Sequence, residues 1–422
     1  MTKGKMRKHR RMKLYCRFAL FLVAISIASV QCVNEADSDL IRKSNSLPET
    51  TPWNLEQLSK APGFEWDEGN QVRSLYYEGE PYKGKSTRVF AYYATPGTLS
   101  NDPKKDVNLQ AIVLVHGGGG TAFNEWVQIW AERGYAAIAM DLAGCGPERE
   151  RLSDGGPGQG DNVKFGEIEQ PLTDQWTYHA VANVIRAHSL IRSFPEIDLN
   201  RTAVIGISWG GYLTCIVVGL DNRFKAAVPI YGCGFLYENS YWIPEFEKMS
   251  TENRTKWVQL WDPSQYVGLT TIPILFANGG TDFAYPPDSY AMTYELVQSQ
   301  KNIRFMPYME HGHIFDRPGE VEVFIDNHLN DGIPLAKISS LNIGERNVTA
   351  VVDSKTDLVK ANLFYTLDTL PGNSKTRKWL AQPAKIKENK ITASLPPEDA
   401  QIWFLTVTDD RKMIVSSELM FQ

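Results

Sequence analysis

Val204-Ile205-Gly206-Ile207-Ser208-Trp209-Gly210-Gly211-Tyr212 is the stretch on which the reading of the chain turns. The apolar run Ala203–Ile207 predicts a buried strand and Gly211–Leu220 a helix, so a G-x-S-x-G pattern falls at a strand-to-helix turn. Glycines on both sides of the serine let the chain reverse sharply. The serine oxygen then stands exposed at a helix N-terminus, whose dipole favours negative charge. The plainer alternative is a tight turn in which Ser208 only caps the helix.

Outward from this turn, apolar runs at Ala111–Val115, Ala136–Met140, Ala226–Ile230, Ile272–Ala277 and Ile303–Met309 each predict a buried strand. They alternate with helical stretches at Ala122–Arg133, Thr177–Ser193 and Asp288–Ser299. This alternation predicts an α/β fold: a mostly parallel sheet with helices on both faces. A strand pair within Gln71–Ala94 adds an antiparallel edge. Residues 233–268 interrupt the rhythm above the expected site and hold Phe235, Tyr237, Tyr241, Trp242, Phe246, Trp257 and Trp261. They read as a cap whose rings either stack on a ligand or pack the insert onto the sheet. Beyond Asn330 short alternating segments predict a small C-terminal β-sandwich. The expected organisation is a linker and arm over 32–64, a catalytic core over 65–332 and the sandwich over 333–422.

A serine nucleophile needs a base to take its proton and a carboxylate to orient that base. In this architecture acid and then histidine follow the serine in chain order. Gly279-Gly280-Thr281-Asp282 follows a predicted strand directly, so Asp282 is the expected acid, and a turn-forming aspartate is the alternative. His311, His313 and His328 are the histidines beyond Ser208. His328 falls in an amphipathic terminal segment, whereas His311-Gly312-His313-Ile314-Phe315 follows the last core strand. The Gly-His-x-Phe pattern favours His313 as base, with His311 as the alternative. His116-Gly117-Gly118-Gly119-Gly120 ends an earlier strand, and four glycines there indicate a need for bare backbone. Gly118 (or Gly119) and Trp209 are the expected N–H donors to an oxyanion. No G-K-[ST] follows the glycines, which argues against a phosphate loop. Asp141 precedes the serine and is expected to organise the Gly144-Cys145-Gly146 loop. Neither the histidines nor the cysteines show metal-ligand spacing, and this chemistry calls for no cofactor.

Composition narrows the partners. The 422 residues carry 44 basic and 49 acidic side chains, a net charge of −5, with 43% hydrophobic residues. Eight of the basic residues and no acid lie in residues 1–31, which leaves −13 for the remainder, so nucleic acid is an unsuitable partner. The basic run from Lys3 to Arg17, the apolar stretch Phe18–Val30 and the small Ala28 and Ser29 have the layout of a secretory signal over residues 1–31. Export to the periplasm or the extracellular space is the expectation. Cys32 stands where a lipoprotein cysteine would, but Ser29-Val30-Gln31 lacks the small residue such a site requires, so a membrane contact would depend on lipidation there.

The sequences HGGGG at 116–120, GYAAIAMDLAGCG at 134–146, GISWGG at 206–211, GGTDFAYP at 279–286 and MEHGH at 309–313 together resemble an α/β-hydrolase of the dienelactone hydrolase and acetyl xylan esterase type, over about residues 65–330. The resemblance implies a secreted serine esterase that removes acetyl groups from polysaccharide such as acetylated xylan. Prolyl oligopeptidase-like peptidases share the triad logic, but this chain has no N-terminal propeller. A peptidase or amidase, and a non-catalytic glycan-binding protein, are the alternatives.

Overall fold

The computed structural model describes residues 46–422 apart from residues 68, 70 and 370–373. The expected signal segment, Cys32 and the first part of the arm lie outside the described residues.

Nine strands build the core sheet: β1 (Phe64–Trp66), β2 (Arg73–Glu78), β3 (Arg88–Ala94), β4 (Leu109–Val115), β5 (Ala136–Met140), β6 (Ile197–Ile207), β7 (Ala226–Ile230), β8 (Ile274–Gly279) and β9 (Lys301–Met306). Their spatial order is β1-β2-β3-β5-β4-β6-β7-β8-β9. The first three strands run antiparallel, and β3 meets β5 antiparallel with Ala91 opposite Met140. From β5 to β9 every neighbour is parallel. The parallel strands are continuous apolar runs because both faces are covered; Ala111 to Val115 and Ala226 to Val228 are fully buried.

Helices α1 (Asn124–Glu132), α2 (Trp176–Ile191), α3 (Trp209–Leu220), α4 (Thr251–Trp261), α5 (Pro287–Glu295) and α6 (Glu320–Asn330) supply most of the cover. Helices α2 and α3 pack on each other, while α1 and α6 are tied by Arg133 and Glu322 at 3.2 Å. Strand β9 starts and stops earlier than its apolar pattern suggested, at Met306 rather than Met309. Pro307 lacks the amide that would extend the ladder.

The C-terminal strands form two sheets. Lys337–Ile338, Asn342–Ile343, Asn347–Asp353, Lys385–Lys387 and Lys390–Ser394 make a five-stranded antiparallel sheet. Leu358–Thr366, Leu380–Pro383, Ile402–Asp409, Ile414–Ser416 and Met420–Phe421 make the other, which continues the core sheet through Ser416 opposite Ile303 of β9. This pairing covers the open edge of β9, where unpaired backbone groups would otherwise face water. Nothing in the sequence pattern announced it. Among the described residues no helix is long and apolar enough to cross a membrane.

Candidate active site

Ser208 sits between β6 and α3 with φ 59° and ψ −120°, a conformation that costs a non-glycine residue about 1–3 kcal/mol. The turn closes tightly enough that a Cβ on Gly206 would stand 2.1 Å from the Gly210 carbonyl oxygen, and one on Gly210 would stand 1.9 Å from that of Val115. Only glycine fits either position. The Ser208 N–H donates to the Ile230 carbonyl at 2.8 Å, and its own carbonyl accepts from Tyr212 at 2.9 Å.

Asp282 follows β8, is fully buried and is held from two sides. Its Oδ1 accepts from the Ala284 and Tyr285 N–H groups at 2.7 and 3.0 Å, and its Oδ2 faces His311 Nδ1 at 2.8 Å. An ionised carboxylate only accepts, so Nδ1 carries the proton and donates it to Asp282. The lone pair on Nε2 is then free to accept from Ser208 Oγ, 2.8 Å away. Tyr231, Phe283 and Tyr285 surround the His311 ring at centroid distances of 4.7, 5.2 and 6.0 Å.

His311 therefore stands between serine and carboxylate, and the expectation for His313 is corrected. The loop after β9 crosses the strand ends in the order β8, β7, β6, β4. Thr281 Oγ1 donates to the Met309 carbonyl at 3.0 Å and the Tyr231 hydroxyl to that of Glu310 at 3.0 Å, pinning the chain just before residue 311. The next side chain drops into the gap between Asp282 and Ser208. Two residues later the loop has passed over to the glycine turn, and His313 Nε2 accepts from the Gly117 N–H at 3.1 Å. Burial keeps the His313 proton affinity below its ordinary value, and repulsion from His311, once protonated, and from Arg149 lowers it further.

The two expected oxyanion donors lie side by side. A Cβ on Gly118 would stand 2.7 Å from Trp209 Cδ1, and one on Gly117 would stand 2.9 Å from Ser208 Cβ. Trp209 opens α3, so its N–H has no acceptor within the helix. His116, to which sequence reasoning gave no role, ties the glycine turn to the end of β5. Its Nδ1 faces the Gly117 carbonyl at 2.7 Å and its Nε2 accepts from the Leu142 N–H at 2.9 Å. Asp141 accepts from the Ala143 and Cys145 N–H groups, as expected of a loop organiser. Lys164 was also missed: it is buried, pairs with Asp161 at 2.9 Å and sets its ammonium 4.1 Å from the Trp209 ring centroid. Lys164 had no motif to mark it, and His116 stood in the HGGGG motif whose reading stopped at the glycines.

The cap rings separate into two groups. Phe235, Tyr237, Phe246, Trp257 and Trp261 are buried, and the last two indoles donate to the Lys164 carbonyl and Gln175 Oε1 at 2.9 and 2.8 Å. They pack the insert. Trp242 is buried as well, but it stands 4.6 Å from Trp209 and 5.2 Å from Tyr285, so the rings Trp209, Trp242, Tyr285 and His311 form a continuous wall beside Ser208. Tyr241 is 58% exposed next to Phe283.

Residues 68–318 match the acetyl xylan esterase (AXE1) family, over more than half of the chain. Acetyl esterase Axe7A of Xylanibacter ruminicola is 23% identical over 222 residues, 50% of this chain and 51% of that protein. A Bacillus subtilis protein named as an uncharacterised peptidase, YuxL, is 24% identical over 228 residues, 49% of this chain and 31% of its own length. The chain thus spans about half or less of the curated relatives it matches. Among solved structures, an acetyl xylan esterase from a Paenibacillus species superposes with a TM-score of 0.52 at 22% identity, covering 65% of this chain and 92% of that one. Acetyl xylan esterase 1 from a Thermoanaerobacterium species gives 0.52 at 20%, covering 69% and 98%. At these identities the superpositions establish the α/β-hydrolase fold, and the family match over the core carries the assignment: the chain belongs to the acetyl xylan esterase family.

Proposed function

We propose that the chain is a serine esterase that removes acetyl groups from carbohydrate, with Ser208 as nucleophile, His311 as base and Asp282 as the group that orients it. The carrying observation is the unbroken relay from Asp282 to His311 to Ser208, 2.8 Å at each step. His311 Nε2 takes the Ser208 proton as Oγ attacks the ester carbonyl, and the N–H groups of Trp209 and Gly118 hold the oxygen as it becomes negative. The imidazolium, stabilised by Asp282, gives its proton to the leaving sugar oxygen. Water then enters by the same route, and acetate leaves as Ser208 is regenerated. No step calls for a cofactor. The ring wall of Trp209, Trp242 and Tyr285 favours a methyl group over a long acyl chain, and the family match supports the same reading.

The test is acetate release from p-nitrophenyl acetate and acetylated xylan by purified protein and by Ser208→Ala, His311→Ala and His313→Ala. Removing Ser208 or His311 should cost on the order of 10⁴–10⁶ in turnover. Ser208→Ala at near-normal activity would refute the mechanism, and hydrolysis confined to amide analogues would favour the peptidase reading. Export belongs to the same proposal, on the basic and apolar character of Lys3 to Val30. N-terminal sequencing of the mature protein from its native host should find the chain starting near Cys32; an intact Met1 in the cytoplasm would oppose it.

A further inference from the structure

A hollow of about 360 Å³ opens beside the glycine turn, lined by Gly119, Gly120, Thr121, Arg149 and Gln159. Its volume lies at the lower end of small-ligand pockets, about 300–1,000 Å³. It begins two residues from Gly117, which abuts Ser208.

Three polar atoms of its lining are buried without a protein partner: Thr121 Oγ1, Gln159 Nε2 and Gln159 Oε1. Buried polar groups in folded proteins are almost always hydrogen-bonded. These atoms lie behind the wall, but with no protein partner to hold them the hydroxyl and the primary amide can turn toward a ligand and donate and accept, as sugar hydroxyls do. Arg149 stands on the same lining, in a left-handed turn at φ 63°. Among the described residues no carboxylate forms an ion pair with it, although Glu148 and Glu150 flank it in the chain. Glu150 is turned to the Glu148 N–H at 2.9 Å, and Arg151 to the Ala143 and Gly156 carbonyls. Arg149 shares the hollow's lining with Gly119 and Gly120 of the glycine turn.

We infer that this hollow is the subsite for the alcohol side of the ester, and that it takes a sugar ring bearing an anionic substituent. The inference rests on the esterase reading. The aromatic wall on the acyl side suits a methyl group, while on the hollow's side Gln159 and Thr121 can turn to ring hydroxyls and the Arg149 fork can meet a carboxylate or sulfate oxygen pair.

The experiment compares kcat/KM on a neutral acetylated xylo-oligosaccharide, on its counterpart carrying a uronic acid and on a sulfated counterpart, with p-nitrophenyl acetate alongside. The enzyme should favour an anionic oligosaccharide over the neutral one by about tenfold or more. Arg149→Gln should bring that ratio close to one, and Gln159→Ala should lower both oligosaccharides relative to p-nitrophenyl acetate. A preference for uronate assigns a carboxylate and a preference for sulfate assigns a sulfate ester; either supports the subsite. An enzyme that hydrolyses p-nitrophenyl acetate but shows no charge preference, or keeps its preference in Arg149→Gln, overturns the subsite and leaves the esterase standing. Inactivity on every ester, p-nitrophenyl acetate included, overturns the esterase reading and the subsite with it.

Discussion

The backbone at Ser208 holds its side chain out by adopting φ 59°, which any L-residue with a Cβ resists. A measurable inversion follows from that strain. Ser208→Ala and Ser208→Gly both lose the hydrogen bond to His311, but only glycine relaxes the turn. Glycine ordinarily costs about 0.5–1 kcal/mol relative to alanine through chain entropy. Relief of about 1–3 kcal/mol exceeds that cost. Chemical denaturation should therefore find Ser208→Gly more stable than Ser208→Ala by about 1 kcal/mol, and the ordinary order would show the turn to be unstrained. Tyr285 gives a second test at this scale. Its ring closes the wall between Trp242 and His311, so Tyr285→Ala should widen acyl tolerance. The ratio of butyryl to acetyl p-nitrophenyl ester hydrolysis should rise about tenfold, and an unchanged ratio would place the acyl group elsewhere.

Among the elements, the C-terminal strands do more than follow the core. Trp379 Nε1 and Arg377 Nη1 donate to the Gly280 carbonyl at 3.3 and 3.4 Å, two residues before Asp282, and the Tyr308 hydroxyl donates to the Trp379 carbonyl. Lys375 sets its ammonium 4.6 Å from the Phe283 ring centroid. The loop that carries Asp282 is thus braced by residues about a hundred positions downstream. With β9 also paired to Ile414–Ser416, residues 46–332 expressed alone should be insoluble or inactive. A soluble fragment with full turnover on p-nitrophenyl acetate would show the two parts to be independent. Trp379→Ala in the whole chain should cost about 3–5 kcal/mol of stability.

Across the whole molecule, legibility in the sequence followed physical locality. The parallel strands were plain because burial on both faces leaves an unbroken apolar run, and the Ser208 turn because glycine is the residue that permits it. Asp282 lies directly after its strand, so chain position alone singled it out as the carboxylate that proves to face His311. Choosing between His311 and His313 required knowing where Thr281 and Tyr231 hold the loop, and contacts spanning 28 and 79 residues leave no local pattern. The edge pairing of β9 was hidden for the same reason.

Acid sensitivity is also set by burial that no motif reports. Burial holds His116, His179 and His188 down to about 4, and keeps His313 and His328 below their ordinary value. In the unfolded chain each takes up its proton near pH 6.5. Between those limits the unfolded state binds more protons, so stability falls as the pH falls. At about 1.4 kcal/mol per pH unit, each of the three rings removes about 3 kcal/mol by pH 4. Asp141 works the other way. Burial pushes its carboxyl up to about 6, so the folded chain binds that proton first and gains on acidification below that pH. At Asp221 burial is outweighed by His188 and Arg223, which keep it well below the usual carboxylate range, so its loss comes only in stronger acid. Burial raises Asp262 and Glu295 in the same way, and five lowered rings against three raised carboxyls leave a net uptake of protons on unfolding near pH 5. Calorimetry should show a melting temperature that is level above pH 7 and falls steadily from pH 6.5 to 4.5; a level or rising melting temperature across that window would mean that the histidines are charged in the folded chain.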